Sequence, residues 1–300
     1  MIAGGLAGFW AGFGEKFVGR IVLFIAALVG LGSVPYVADA ATPGDGDNCD
    51  ACEAVLDLAL AHPRRVADRA RDVWRHPAET LAFFRVRPGM TVVDYLPSSG
   101  WYTRILVPYL GEDGRYIGLN PDVRAANERL RGMMGDMAAT FPAKAAEWTG
   151  VPASRIGAFN SDSLPAALNG TVDRVLIFRE MHNLKRFGWL DGELATARGL
   201  LKPDGLLGIV QHRAKADAPD AYADGSKGYL REKDVIAWVE ARGFELVARS
   251  EVNANPAAPA DHPAGVWTLP PSFSQGEVDR ARYAAIGESD RMTLLFRKRP

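Results

Sequence analysis

Asp94 stands where an acidic residue has the most chemistry available to it, directly after the β-branched pair Val92-Val93 and just before Leu96-Pro-Ser-Ser-Gly100. A turn signal, Pro88-Gly89, precedes that pair, so a strand begins near Met90 and ends at Asp94 or Tyr95. The loop then feeds a helical run at residues 101–110, whose first N–H groups lack intrahelical partners. In an open parallel sheet such a strand end is where polar small molecules are held. Two more polar groups follow apolar runs. Arg179-Glu-Met-His-Asn183 follows residues 172–178, and Gln211-His-Arg213 follows residues 206–210. His182 and His212 are the proton acceptors to expect, since a neutral imidazole suits general-base work near pH 7. Glu180 is expected beside them as a catalytic or orienting carboxylate, with Asn183 and Arg213 contacting substrate. The plainer alternatives are a structural His182, Asp94 as a helix cap, Gly100 as a simple entry turn, and Trp101 and Tyr102 as core aromatics. No cysteine or carboxylate cluster has metal-ligand spacing, so no metal is expected.

These residues require elements that bring strand ends together. Further strands are read at residues 115–119, 156–159, 172–178, 206–210, 244–252 and 292–297. Helices are read at 50–61, 77–84, 122–137, 143–149, 189–201 and 231–242. Lys202-Pro-Asp-Gly205 is expected to close the helix at 189–201, with Gly205 as a left-handed cap. Residues 179–183 read as a loop. Strand, helix and strand succeed one another within residues 91–119, which predicts a right-handed parallel βαβ unit. Residues 214–229 and 253–289 read as insertions, the second docked by Trp267 and Phe273, and a connection of that length is usually a lid or binding loop.

Composition bounds the remainder. The chain has 300 residues, 48% hydrophobic and 24% charged, with a formal net charge of −1. It has ample material for a core and no basic field, so no nucleic-acid partner held by phosphate contacts is expected. Lys16 and Arg20 precede an apolar run at residues 21–34, followed by Ala38-Asp39-Ala40. That order reads as a secretory signal cut near Ala40, and the run is shorter than the roughly 20 residues of a permanent span. An uncleaved anchor and an upstream misassigned start are the alternatives; either way the expected location is periplasmic or secreted. Cys49 and Cys52 are the only cysteines. A short-range disulfide suits an oxidising compartment, and a redox pair is the alternative. The expected organisation is a signal segment at 1–40, a linker and N-terminal helices at 41–76, and one principal domain at 77–300.

The alternation of strands and helices, closed by a final strand pair, resembles the class I S-adenosylmethionine-dependent methyltransferases over residues 77–300. The most specific stretch is Ala197-Arg-Gly-Leu-Leu-Lys-Pro-Asp-Gly-Leu-Leu-Gly-Ile-Val210, similar to the helix-turn-strand that follows the active-site loop there. Ser99-Gly-Trp-Tyr-Thr103, Phe178-Arg-Glu-Met-His-Asn183 and Gly287-Glu-Ser-Asp-Arg-Met-Thr293 resemble a narrower group, the exported bacterial predicted methyltransferases. The resemblance implies an α/β, Rossmann-like, mostly parallel seven-stranded sheet with helices on both faces, an antiparallel last strand and an N-terminal helical extension. It implies S-adenosylmethionine as cofactor and a small-molecule methyl acceptor, with Asp94, Ser98, Gly100, Asn120 and Asp162 binding the cofactor. Ser161 is the alternative to Asp162 at the adenine contact. The family places glycines at 96, 98 and 100, and here only Gly100 is one. It places an acid where Asn120 stands; Asn accepts and donates, and Asp122 lies two residues on. These departures leave a second reading open, an exported non-catalytic small-molecule-binding protein that keeps the fold. A third is an exported enzyme of other chemistry built on His182 and His212.

Overall fold

The computed structural model describes residues 49–300 except 125–127 and 135. The expected signal segment, the linker as far as residue 48 and part of the helix read at 122–137 lie outside the described residues.

Among the described residues, three α-helices precede the sheet: α1 (Asp50–Ala61), α2 (Asp72–Arg75) and α3 (Pro77–Phe83). A disulfide joins Cys49 to Cys52 at the start of α1, where Cys49 Sγ accepts the Cys52 N–H at 3.2 Å. His62, extended before Pro63, ends the helix. Leu56 and Ala59 are buried with Leu81 and Ile105 in one core layer, so the extension covers a face of the sheet.

The alternating part runs β1 (Thr91–Tyr95), α4 (Thr103–Leu110), β2 (Arg115–Asn120), α5 (Glu128–Met134), α6 (Met137–Thr149), β3 (Ile156–Asn160) and β4 (Val172–Phe178). It continues with α7 (Met181–Arg186), α8 (Leu190–Leu200), β5 (Leu201–His212), α9 (Asp220–Ala223), α10 (Glu232–Glu240), β6 (Phe244–Ser250), α11 (Arg280–Ile286) and β7 (Arg291–Lys298). The seven strands form one sheet in the order β3-β2-β1-β4-β5-β7-β6. β7 runs antiparallel to both neighbours, and the β1, β2, β3, β4 and β5 pairings are parallel. Period-two alternation gives the sheet its two cores: Val93 packs with Leu194 and Val235 on one face, and Val92 with Ile105 and Phe141 on the other. The order reverses between β1 and β4, which opens a crevice at their carboxyl ends.

Two expectations are corrected here. Lys202-Pro-Asp-Gly205 is no helix cap. α8 ends at Leu200, and residues 202–205 form an irregularity inside β5, between the Val172–Leu201 and Arg174–Leu206 pairs. Gly205 serves close approach, since a Cβ there would lie 2.9 Å from the Val172 carbonyl oxygen. The loop read at 179–183 turns instead into α7, because Met181 and Leu184, one helical turn apart, are both buried in the core.

The segment after β6 is tied down by side-chain amides. Asn253 Nδ2 donates to Thr80 Oγ1 at 2.9 Å and Thr293 Oγ1 at 3.0 Å, and Asn255 Nδ2 to the Ile286 and Glu288 carbonyls. Trp267 packs with the cluster of Ala214, Ala223 and Tyr229, and Phe273 against Leu269 and Tyr283.

Candidate active site

Asp94 is buried at the end of β1 and accepts a hydrogen bond from the Tyr116 hydroxyl at 2.9 Å; that hydroxyl also lies 2.9 Å from Thr103 Oγ1. It caps no helix, since α4 begins after Tyr102 without a side-chain cap. Burial raises its carboxyl to about 7, against the pull of the Tyr116 hydrogen bond and the charge of Arg179, with Glu180 adding to the rise.

The loop from Leu96 to Gly100 keeps the backbone that glycines would adopt. Its φ values are +50° at Leu96, +51° at Ser98 and +73° at Gly100. A non-glycine residue there costs roughly 1–2 kcal/mol. The loop is held by Leu96 N–H donating to the Leu119 carbonyl and Gly100 N–H to that of Pro97, both at 2.8 Å. Leu96 and Ser98 therefore follow a path that glycine adopts without strain. Gly100 has a further reason to persist, since a Cβ there would lie 2.3 Å from the Trp148 ring.

At the ends of β2 and β3, Asn120 and Asn160 are register partners. Asn120 Oδ1, Asn160 Oδ1, Asp162 Oδ1 and Glu193 Oε2 are buried and accept no hydrogen bond among the described residues. The Tyr95 hydroxyl neighbours Glu193 without normal hydrogen-bond geometry. Glu193, from α8, was not singled out in the sequence. Its Oε1 accepts from Asp122 N–H at 2.9 Å and Ser161 Oγ at 2.7 Å, and burial raises its carboxyl. Asp122 itself is paired with Arg124, as is Asp162 at 3.3 Å.

His182 and His212 come together, with ring centroids 5.9 Å apart. Gln211 Nε2 donates to the Gly228 carbonyl at 2.8 Å, which turns Gln211 Oε1 towards His182 Nδ1 at 3.5 Å. The tautomer protonated at Nδ1 matches that acceptor and leaves Nε2 as the basic nitrogen. Burial lowers His182 to about 4 and holds His212 well below its ordinary value, so both imidazoles are neutral at pH 7. His212 Nδ1 lies 2.6 Å from Ser289 Oγ, and the Trp267 ring sits 6.0 Å from that of His182. Glu180 accepts from Asn183 Nδ2 at 2.6 Å, and burial raises it to about 7, opposed by that bond and by Arg179. Arg213 does not join them. It is ion-paired with Glu232, Glu251 and Asp290.

A cavity of about 40 Å³ is lined by Asp94, the loop at 96–99, Trp101, Tyr102, Phe178, Arg179 and Glu180. Tyr102 stacks on Phe178 with centroids 3.5 Å apart. The missed residue here is Arg179; its only signal in the sequence is its place, the first residue beyond a buried strand.

The strand order, the antiparallel β7 and the crevice at the β1/β4 reversal define the class I S-adenosylmethionine-dependent methyltransferase fold. Among solved structures, the chain is similar to geranyl diphosphate C-methyltransferase from Streptomyces coelicolor, with 10% identity, 80% of this chain and 87% of that chain covered, and a TM-score of 0.50. It is also similar to a SAM-dependent methyltransferase from Aquifex aeolicus, at 18% identity, 67% and 93% coverage and a TM-score of 0.43. For 1,6-didemethyltoxoflavin-N1-methyltransferase from Burkholderia thailandensis the values are 14%, 88%, 94% and 0.44. At 10% identity and a TM-score of 0.50, the likeness to the first is one of fold. No protein-family model and no curated protein matches the sequence.

Proposed function

We propose that this chain is an S-adenosylmethionine-dependent methyltransferase acting on a small molecule. The observation that carries this reading is the set of buried acceptors without donors at Asn120, Asn160, Asp162 and Glu193, next to a β1 loop that keeps its left-handed backbone at residues 96, 98 and 100. Buried acceptors are rarely left unpaired. A ligand with several donors, such as the vicinal hydroxyls and exocyclic amine of an adenosine, would satisfy them, and Glu193 supplies the carboxylate that Asn120 lacks. Asp94 and the backbone of residues 96–100 would hold the charged amino-acid end. The bound cofactor supplies an electrophilic methyl group on a sulfonium. The chain's own tasks are to orient the acceptor, exclude water and take up a proton. Neutral His182, with Nε2 as its basic nitrogen, is the acceptor of that proton, and Glu180, fixed by Asn183, orients the group that loses it.

The cavity of about 40 Å³ is far below the roughly 300 Å³ of an ordinary ligand pocket. Loading therefore requires the loop at 96–99 and the Arg179 side chain to move apart. Calorimetric titration of the purified protein with S-adenosylmethionine and S-adenosylhomocysteine is the test, and absence of heat at millimolar ligand would sink the reading. Asp94 and Glu180 each hold a proton up to about pH 7. A cationic ligand favours their ionised forms, so affinity for S-adenosylmethionine should rise from pH 6 to 8, by about tenfold for each carboxylate that contacts the charge. A flat profile would place the sulfonium and ammonium elsewhere.

We also infer export to the periplasm or beyond. Lys16, Arg20, the apolar run at 21–34 and Ala38-Asp39-Ala40 support it, as does the Cys49–Cys52 disulfide. Alkaline phosphatase fused after residue 60 should be active, because it folds only outside the cytoplasm; an inactive fusion that is made in full would refute export.

A further inference from the structure

Arg179 stands in the crevice with its hydrogen-bonding capacity unspent. Its backbone is left-handed, φ +63°, and is fixed by its N–H donating to the Val210 carbonyl at 2.6 Å. Among the described residues, none accepts a hydrogen bond from its guanidinium, and Arg179 lines the cavity together with Asp94, Glu180 and Tyr102. A guanidinium offers five donors in a planar fork suited to carboxylate or phosphate oxygens.

The charge around it is unbalanced in the same sense. Behind Tyr102, Arg71, Arg75 and Arg291 all share one carboxylate, Glu288. Arg75 Nη1 and Arg291 Nε are buried without acceptors. Arg291 and Arg179 each act on Tyr102 as positive charges, and burial, with Arg179 adding to it, lowers the readiness of Arg291 to hold its proton. Burial raises the two acids that line the cavity with Arg179, Asp94 and Glu180, to about 7. Three guanidiniums thus share the single carboxylate of Glu288, while among the described residues none is ion-paired with Arg179.

We propose that Arg179 receives an anionic head group, a carboxylate or a phosphate, on the molecule that enters this crevice. A cavity of about 40 Å³ is small and suits a head group of a few heavy atoms. The anion has two sources under the methyltransferase reading on which this rests: the amino-acid carboxylate of the cofactor, or the methyl acceptor itself.

The test compares the wild-type protein with Arg179→Gln and Arg179→Lys. Inorganic phosphate, acetate, S-adenosylhomocysteine and methylthioadenosine, which lacks the amino-acid group, are titrated into each. Phosphate or acetate affinity should fall roughly 10- to 100-fold in the Gln variant and less in the Lys variant. If S-adenosylhomocysteine weakens equally while methylthioadenosine does not, the anion belongs to the cofactor. If S-adenosylhomocysteine is unaffected and phosphate still binds the saturated wild-type protein, it belongs to the acceptor. Equal binding of phosphate, acetate and S-adenosylhomocysteine by wild type and variants overturns the proposal. Loss of phosphate binding in a protein that never binds S-adenosylhomocysteine would keep the anion site and remove the methyltransferase reading. Where Arg179→Gln fails to fold, Arg179→Gly, which relieves the left-handed backbone, takes its place.

Discussion

Asp94→Asn should make the protein more stable at pH 8 while it loses the cofactor. The carboxyl is buried and titrates near 7 when folded, against 3.8 as its ordinary value. The sign follows from linkage: a raised folded-state value means the unfolded chain releases its proton first, so stability declines as pH rises from about 4 to 7. Ionised Asp94 therefore costs the folded state up to about 4 kcal/mol at pH 8, an upper figure from the difference in titration at 1.36 kcal/mol per unit. An amide avoids that penalty and still accepts from the Tyr116 hydroxyl. The gain should vanish below pH 4, where both states hold the proton. Denaturant unfolding at pH 4 and pH 8 reads this directly, and calorimetry should show S-adenosylmethionine affinity reduced at least tenfold. A residue retained at a cost to stability is one kept for function. If the variant is less stable at pH 8, Asp94 is a structural group and the ligand role fails.

Glu288→Gln is expected to have the largest effect of the opposite sign. The Glu288 carboxylate accepts from Arg71 Nε at 2.6 Å, Arg75 Nε at 3.0 Å and Arg291 Nη1 at 2.9 Å. Arg75 and Arg291 are 2% and 1% exposed, so neither can turn to water when the partner charge is removed. Breaking a buried pair on one side typically costs about 3–5 kcal/mol. In a chain of this size each kcal/mol lowers the melting temperature by about 2–4 °C. The cluster joins α2 to the start of β7, where Gly287 admits the Trp74 ring; a Cβ there would lie 2.3 Å from it. The N-terminal helices should therefore loosen first, seen as early amide exchange in α1 and α2. Adding Arg75→Met, which keeps apolar contact with the Trp101 ring, should recover part of the loss. A single variant within about 0.5 kcal/mol of wild type would show that these guanidiniums do not depend on Glu288.

What was legible in the sequence was local or periodic. Val172–Phe178 is a buried strand because a continuous apolar run between Gly170 and Arg179 has few alternatives, and Asp50–Ala61 is a helix stopped by His62-Pro63. Lys202-Pro-Asp-Gly205 misled because its turn composition is also that of an interrupted strand, and the choice lay with Val172, thirty places earlier in the pairing. His182 and His212 meet because β4 and β5 are neighbours, an adjacency the order of elements implied. Arg213, one residue beyond His212, points its chemistry at Glu232, Glu251 and Asp290 instead, since successive residues of a strand face opposite sides.

The sequence by itself determined the alternation of elements, the position of Asp94 at a strand end, and the disulfide-forming pair after an export-like segment. These depend on residue type and short-range spacing alone. Only the tertiary structure decided that Leu96 and Ser98 keep a glycine-like path, that Glu193 reaches from α8 to the Asp122 N–H, and that Arg179 has no hydrogen-bond partner for its guanidinium among the described residues. Each of those turns on burial and on partners distant in the chain. Removal from water is what turns an ordinary carboxylate or guanidinium into one that needs a ligand.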